Sequence, residues 1–384
     1  MKKEKIIIYG GSFDPPHKAH FRLLKGAIKE IKPDRVYVVT GWRSPFKSFP
    51  SVSYLDREKM FRLGAREFDL GAKTKLVFHP FEYKRKKVTY TYQTVNYFFS
   101  KYPSAQIFFL MGSDCFNSFN RWKKYTLITK KAILLVGRRR GFMPQGNSEK
   151  STVFLKGVFP EISSSEIKKT LFAYGTVKNI PATVVEFIER KKLYFNQIHK
   201  WLKLNLKAKR FNHCKETARL ALAIADKHGI NLEKTAVAAL LHDGARDFKP
   251  AKLKAWARKN RKNLPFFRHI MNNEPLIFHS YMSAYIAREK FSIKDKEILD
   301  AIKLHTIGAA GMSILAKIIY ISDMAEKDRV IPSAPSIRKE VFFSIDKAFF
   351  SALKCKLEYL KEKNRWVHPH SLALYKSLLK EKKI

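Results

Sequence analysis

The hydrophobic pattern changes period part-way along the chain, and that change constrains the fold more than any other feature of the sequence. Up to about Tyr194, short apolar runs alternate with helical stretches. The runs are Ile6–Tyr9, Val36–Val39, Leu76–Phe78, Gln106–Met111 and Ala132–Val136. Helices are expected from about Pro16 to Ile31, at Tyr92–Lys101, at Ser164–Phe172 and at Ala182–Lys192. Apolar runs of this kind need cover on both faces, so the first part, residues 1–194, predicts a Rossmann-like α/β unit with a parallel sheet. Beyond Tyr194 the strand signals stop. Helical patterns take over at Glu216–His228, Leu232–His242, Ser280–Lys290, Asp295–His305 and Ser313–Asp323, so residues 195–384 predict an all-α domain. The basic, amphipathic segment Phe195–Lys209 reads as a linker into it, and Gly141–Lys150 reads as a polar loop inside the first domain.

A length of 384 residues fits two domains, each able to bury its own core. No apolar run approaches membrane-spanning length, so no membrane partner is expected. The three cysteines, Cys115, Cys214 and Cys355, show no Cys-x-x-Cys spacing, which points to a reducing compartment, the cytoplasm. Lysine and arginine number 76 against 33 acidic residues, a formal charge of +43. The lysines are spread along the whole chain with no discrete basic block. The charge therefore reads as compositional, and nucleic acid is not expected as a partner. A homo-oligomer stays open.

Two constellations carry chemistry. The first strand runs directly into Gly10-Gly11-Ser12-Phe13-Asp14-Pro15-Pro16-His17-Lys18-Ala19-His20, with a turn expected at Gly10-Gly11. Glycines let the backbone approach a phosphate closely, and a helix start offers unpaired N–H groups. His17 and His20, three residues apart, are expected on one helix face, where imidazoles can donate to phosphate oxygens as charge develops. Further along, Ser163 followed by Glu166 is a capping-box pattern that starts a helix, with Ser164 and Ser165 in its first turn and Lys168 beyond. In the second half, His242-Asp243 ends an apolar helix pattern, a costly placement unless the pair binds a partner or a metal. His213, His279, His305 and Asp323 are further candidate ligands. Imidazole with carboxylate suits Fe, Mn or Zn better than Ca.

The first string, together with Ile162-Ser163-Ser164-Ser165-Glu166-Ile167-Lys168, resembles the nucleotidylyltransferase superfamily in its bacterial nicotinate mononucleotide adenylyltransferase branch. Tyr54-Leu55-Asp56-Arg57 with Met60, Thr89-Tyr90-Thr91-Tyr92, Gly112-Ser113-Asp114, Trp122 and Leu135-Val136-Gly137-Arg138 match the same branch. The resemblance implies catalytic roles for His17 and His20. It implies ATP and phosphate contacts at Gly10, Gly11, Ser12, Phe13, Gly112, Asp114, Arg138, Ser163, Ser164, Ser165 and Lys168. It places nicotinate mononucleotide against Lys47, Thr89, Tyr90 and Trp122, and implies Mg²⁺ with the ATP. Two departures stand out: Pro45-Phe46-Lys47 replaces the usual Pro-His-Lys, and Lys168 stands where arginine is usual, trading a bidentate grip for a point charge.

The ordered set His213, His242-Asp243 and Asp323 resembles the HD superfamily of metal-dependent phosphohydrolases. His305-Thr306-Ile307-Gly308, Met312-Ser313, Lys317–Asp323, Glu326 and Arg329 point to the branch that splits diadenosine tetraphosphate symmetrically. That likeness adds His279 and His305 as ligands, implies two transition-metal ions, iron by family habit, and makes Asp243 central to catalysis. Arg246 and Arg329 are then candidates for outer phosphates. Rival readings are a phosphopantetheine-type adenylyltransferase for the first half. For the second they are a nucleoside monophosphate or alarmone hydrolase, or a nucleotide-sensing module without turnover.

Overall fold

The computed structural model describes residues 3–43, 52–71, 74–139 and 151–380. They form two compact units, one holding the chain up to 168 with 177–194, the other 169–176 with 195–384.

In the first unit six strands form one parallel sheet: β1 (Lys5–Gly11), β2 (Arg35–Thr40), β3 (Lys75–Phe78), β4 (Gln106–Gly112), β5 (Ile133–Arg139) and β6 (Thr152–Phe159). The strand order β3-β2-β1-β4-β5-β6 reverses direction between β1 and β4. In a doubly wound sheet a crevice opens at that switch, outside the carboxyl ends of the strands. Alternate residues of β1 enter different cores. Ile7 and Tyr9 join Phe21, Leu24, Phe61 and Leu110 on one face, and Ile6 and Ile8 join Val39, Val95, Phe98 and Phe109 on the other. A strand buried on both sides cannot alternate with polar residues, and this is why the unbroken run Ile6–Tyr9 is legible as a central strand.

Two expectations for this unit need revision. Gly10 and Gly11 do not turn; they extend β1, pairing with Val39 and Thr40 of β2. The turn comes at Phe13, whose φ is +49°, and its ring sits so close that a Cβ on Gly11 would lie 2.8 Å from it. The edge strand β6 had no counterpart among the apolar runs of the sequence. Its run is broken by Lys156 and by Gly157 with φ +90°, and its pairing with β5 shifts register after Val136, so no clean period survives.

The second unit is helical throughout its described residues. Ala208–Lys227, Leu232–Leu241, Phe278–Phe291, Lys296–Leu304 and Ile314–Ala325 carry the candidate ligands or end beside them. Asn231 caps the second of these by accepting from Glu233 N and Lys234 N, and Asp295 caps the fourth in the same way. The segment expected as a linker folds instead as the helix Asn196–Asn205, with Ile198 and Leu202 buried. Its amphipathic pattern was real; what the sequence could not show was a surface to bury it against. No described helix is long and apolar enough to cross a membrane.

Phe61 is fully buried, with its ring centroid 4.4 Å from that of Phe13, which carries the turn after β1, and 4.9 Å from that of Phe21. Phe61→Ala is expected to cost about 3–5 kcal/mol through the cavity it leaves. The check is the denaturant midpoint of the first unit's unfolding transition; an unshifted midpoint contradicts this packing.

Candidate functional sites

The first site lies at the carboxyl ends of β1 and β4. His17 is not on the helix but at its N-cap, in extended backbone, and the helix begins at Lys18. The two imidazoles still meet. His17 and His20 stack with centroids 3.6 Å apart and 22° between planes, and the His17 amide donates to His20 Nδ1 at 3.1 Å. An Nδ1 that accepts a hydrogen bond leaves the ring proton on Nε2, so the cap fixes which nitrogen of His20 can donate.

Three elements hold the loop between β1 and this helix. The buried Arg57 guanidinium donates to the Ser12 carbonyl at 2.5 Å and, through Nε, to Val52 O at 3.0 Å. Asp14 accepts from Tyr194 Oη at 2.7 Å and from Lys168 Nζ at 3.2 Å. Ser164 Oγ reaches Pro15 O at 3.4 Å, and Ser163 Oγ accepts from Ser165 N at 3.2 Å at the start of the Ser164–Tyr174 helix. Both halves of the signature therefore converge on one loop although about 150 residues separate them. Lys168, expected at a phosphate, is ion-paired with Asp14 here.

At the end of β4, Gly112 leads into Ser113 and Asp114. Asp114 pairs with Arg139 at 3.0 Å, and Ser113 Oγ accepts from Arg139 N. Arg138, the residue expected here, is exposed, with its guanidinium 5.6 Å from the centre of the Phe154 ring. Neighbouring strand residues point to opposite faces, so a one-residue choice between two arginines decides which of them reaches Asp114. Thr89 is buried and donates to Lys87 O, while Tyr90 caps the Thr91–Lys101 helix, its amide donating to Gln93 Oε1 at 3.0 Å. Trp122 packs against Phe109 and Phe119. Lys47 lies outside the described residues. Arg57, Arg139 and Tyr194 had no role assigned from sequence. Arg57 stood inside a quoted motif, and the other two gave no local signal.

The second site is built on helix ends. His242 and Asp243 follow Leu241 directly, His305 follows Leu304, and His213, His279 and Asp323 project from helices. All six are buried. They form two groups that share Asp243. Its Oδ1 lies 3.0 Å from His279 Nε2 and 3.5 Å from His305 Nε2; its Oδ2 lies 3.6 Å from His242 Nε2 and 3.7 Å from His213 Nε2. Asp323 Oδ1 joins the second group, 3.0 Å from His213 Nε2.

The outer ring nitrogens explain why these atoms face inward. His242 Nδ1 donates to Ala239 O at 2.6 Å, His279 Nδ1 to Leu276 O at 2.5 Å, and His305 Nδ1 to Ile302 O at 2.7 Å, each three residues back. With Nδ1 protonated, each Nε2 presents a lone pair. Yet the Nε2 atoms of His279 and His305 stand 3.2 Å apart, and those of His213 and His242 likewise 3.2 Å. Ring nitrogens this close to one another and to a carboxylate are what a cation would reconcile, and this donor set fits divalent metal ions. Burial pushes His242 down to about 3, keeping it neutral. Arg210 donates to Asp243 Oδ2 at 2.6 Å, and Arg329 pairs with Asp323 and donates to its carbonyl. Arg246 lines the same cleft.

Comparison with known proteins reproduces this division. Residues 8–170 match the Cytidylyltransferase-like family and residues 210–328 match the HD domain family. A protein of Mycoplasma genitalium described as "Probable nicotinate-nucleotide adenylyltransferase/Ap4A hydrolase" is 32% identical over 331 residues, spanning 85% of this chain and 89% of the relative. The chain belongs to that two-part family. Each half also has single-function relatives. A symmetrical bis(5'-nucleosyl)-tetraphosphatase of Bacillus subtilis is 30% identical over 46% of this chain and 94% of its own. A Neisseria gonorrhoeae protein described as "Probable nicotinate-nucleotide adenylyltransferase" is 29% identical over 50% of this chain and 98% of its own.

Since Asp243 offers one oxygen to each group, Asp243→Ala is expected to strip metal from both, whereas His305→Ala should weaken one. Elemental analysis of the purified variants reads this out; an Asp243→Ala protein that keeps the wild-type metal content contradicts a shared ligand.

Proposed function

We propose that this chain is a bifunctional enzyme: residues 1–194 join nicotinate mononucleotide to ATP, forming deamido-NAD and pyrophosphate, and residues 195–384 hydrolyse diadenosine tetraphosphate to two ADP. The observation that supports it most is the presence of both constellations in one chain whose relative, matched along most of both lengths, carries both activities in its description.

In the first reaction a 5′-phosphate oxygen of the mononucleotide attacks the α-phosphorus of ATP and pyrophosphate leaves. No side chain becomes covalently bound, so positioning and charge stabilisation carry the step. The stacked His17 and His20 donate to phosphate oxygens as charge develops on them, with His20 acting through Nε2. Arg57, Tyr194 and Asp14 fix the loop that carries both. The first-turn amides and hydroxyls of Ser164 and Ser165 suit the outer phosphates of ATP. Mg²⁺ accompanying ATP supplies countercharge for the phosphates. Thr89, Tyr90 and Trp122 hold the nicotinate ring, whose carboxylate favours it over the amide.

In the second unit, His213, His242, Asp243, His279, His305 and Asp323 would hold two ions, iron in our reading, which when bound would supply positive charge to the phosphate under attack and make water more acidic. The chain's own part is to hold Asp243 charged between the two histidine groups and to fix each imidazole through its Nδ1–H. Arg210, Arg246 and Arg329 bring cationic donors for polyphosphate oxygens. The free state of Cys115, Cys214 and Cys355 is compatible with the cytoplasm.

His20→Ala is expected to lower kcat for pyrophosphate release by about two to four orders of magnitude, as for loss of transition-state hydrogen bonds. It should leave diadenosine tetraphosphate cleavage intact. The full chain should turn that substrate into ADP alone; AMP and ATP as products would rule out symmetrical cleavage.

A further inference from the structure

The cleft that reaches Asp243, His279 and His305 opens to solvent, and part of its wall comes from a segment no motif has drawn attention to. Lys356, Leu357 and Leu360 of the Ile345–Glu362 helix line it, as do Trp366, His368 and Ser371 further on. All lie beyond residue 328, where the match to the HD family ends.

Two bonds tie this segment to the turn that carries His305. Lys356 Nζ donates to Thr306 O at 2.5 Å, and Ser371 Oγ donates to Ile307 O at 2.5 Å. The ammonium of Lys356 is thereby held one residue from a candidate ligand. Its cation has no carboxylate partner among the described residues. A neutral carbonyl accepts one of its three N–H groups, and the Tyr320 ring centre lies 5.0 Å away. Burial pushes this ammonium down to about 8. The carboxylates nearest it in the cleft, Asp243 and Asp323, are already engaged by Arg210 and Arg329, so the Lys356 ammonium can take an oxygen of an incoming anion, and the anion proposed for this cleft is a phosphate.

The same stretch supplies a surface of another kind. Leu357, Leu360 and Trp366 join Leu276 in giving the cleft an apolar wall beside its charged residues. Trp366 is fixed edge-on against His368, with centroids 5.4 Å apart. His368 is itself buried, and its Nδ1 accepts the His370 amide at 3.1 Å. That leaves the His368 proton on Nε2, which has no partner in the protein. An apolar, aromatic surface suits a purine, which offers a flat face.

We infer that residues 356–371 form the nucleotide-holding wall of the second site, with Lys356 taking a phosphate oxygen and the Leu357–Leu360–Trp366 surface taking the base. This deepens the hydrolase reading and rests on it for the identity of the nucleotide.

The test uses the full-length, metal-loaded protein. ADP binding is measured by calorimetry, and kcat/KM is measured for diadenosine tetraphosphate and for inorganic tripolyphosphate, a base-free comparison. Lys356→Gln keeps a donor for Thr306 O but removes the charge. It should weaken ADP binding about 10- to 100-fold, with Lys356→Arg restoring most of it. Trp366→Ala should weaken ADP binding about tenfold and lower the ratio of dinucleotide to tripolyphosphate turnover by a similar factor, with Trp366→Phe intermediate. Melting temperature and metal content identify any variant that has lost its fold, and the Arg and Phe variants then decide. ADP affinities within twofold of wild type in both Lys356→Gln and Trp366→Ala overturn the inference. So does a Trp366→Ala protein that loses both substrates equally. A wild-type protein that binds ADP but leaves the dinucleotide intact removes the hydrolase reading instead, and the ADP titrations still decide the wall.

Discussion

A single carboxylate, Asp243, sets the architecture of the second unit. It is almost wholly enclosed, and an enclosed charge is tolerable only when opposite charge or donors surround it; Arg210 donates to it at 2.6 Å, and the cations its surroundings fit would supply the rest. Four imidazoles from four separate helical elements come within 3.7 Å of its two oxygens. Each of these imidazoles is turned by a bond from its own Nδ1, three of them to a carbonyl three residues back and that of His213 to Glu326. The helices must end or cross where those carbonyls can be reached. Packing around the site and chemistry within it are therefore one constraint, and metal binding and folding of this unit should be thermodynamically linked.

The first unit solves a different problem. Its chemistry needs no buried charge cluster, only a loop held still at the carboxyl ends of two neighbouring parallel strands. The loop is fixed from several sides: by Phe13 packed on Phe61, by Arg57 on the Ser12 carbonyl, and by Tyr194 and Lys168 on Asp14. Charge balance around Asp14 gives Lys168 a role the signature alone does not suggest. In this structure it ties the second half of the motif to the first, an interaction a lysine can make as a point charge without the bidentate geometry of arginine.

The wall assigned to residues 356–371 bears on how the second unit selects its substrate. The ligands lie within the segment shared across the HD family, while the surface proposed to hold the nucleotide lies outside it. Such a division lets a common hydrolytic centre serve different phosphate compounds through changes in the helices C-terminal to it, because chemistry is set by the ligands and discrimination by the contacts around them.

The sequence by itself determined the two fold classes, the central strands, the paired histidines and the six candidate ligands. These depend on short-range information: unbroken apolar runs, helical periodicity, and chemically active residue types next to one another. The tertiary structure decided the rest. It made Phe195–Lys209 largely helical and extended β1 through Gly11. It added β6 at an edge where no period is kept, and put Arg139 rather than Arg138 on Asp114. It also brought Tyr194 to Asp14 across 180 residues and set Lys356 beside the His305 turn. In each case the deciding energy comes from a partner distant in sequence, a buried face to cover or a charge to satisfy, and no local pattern encodes where that partner will be.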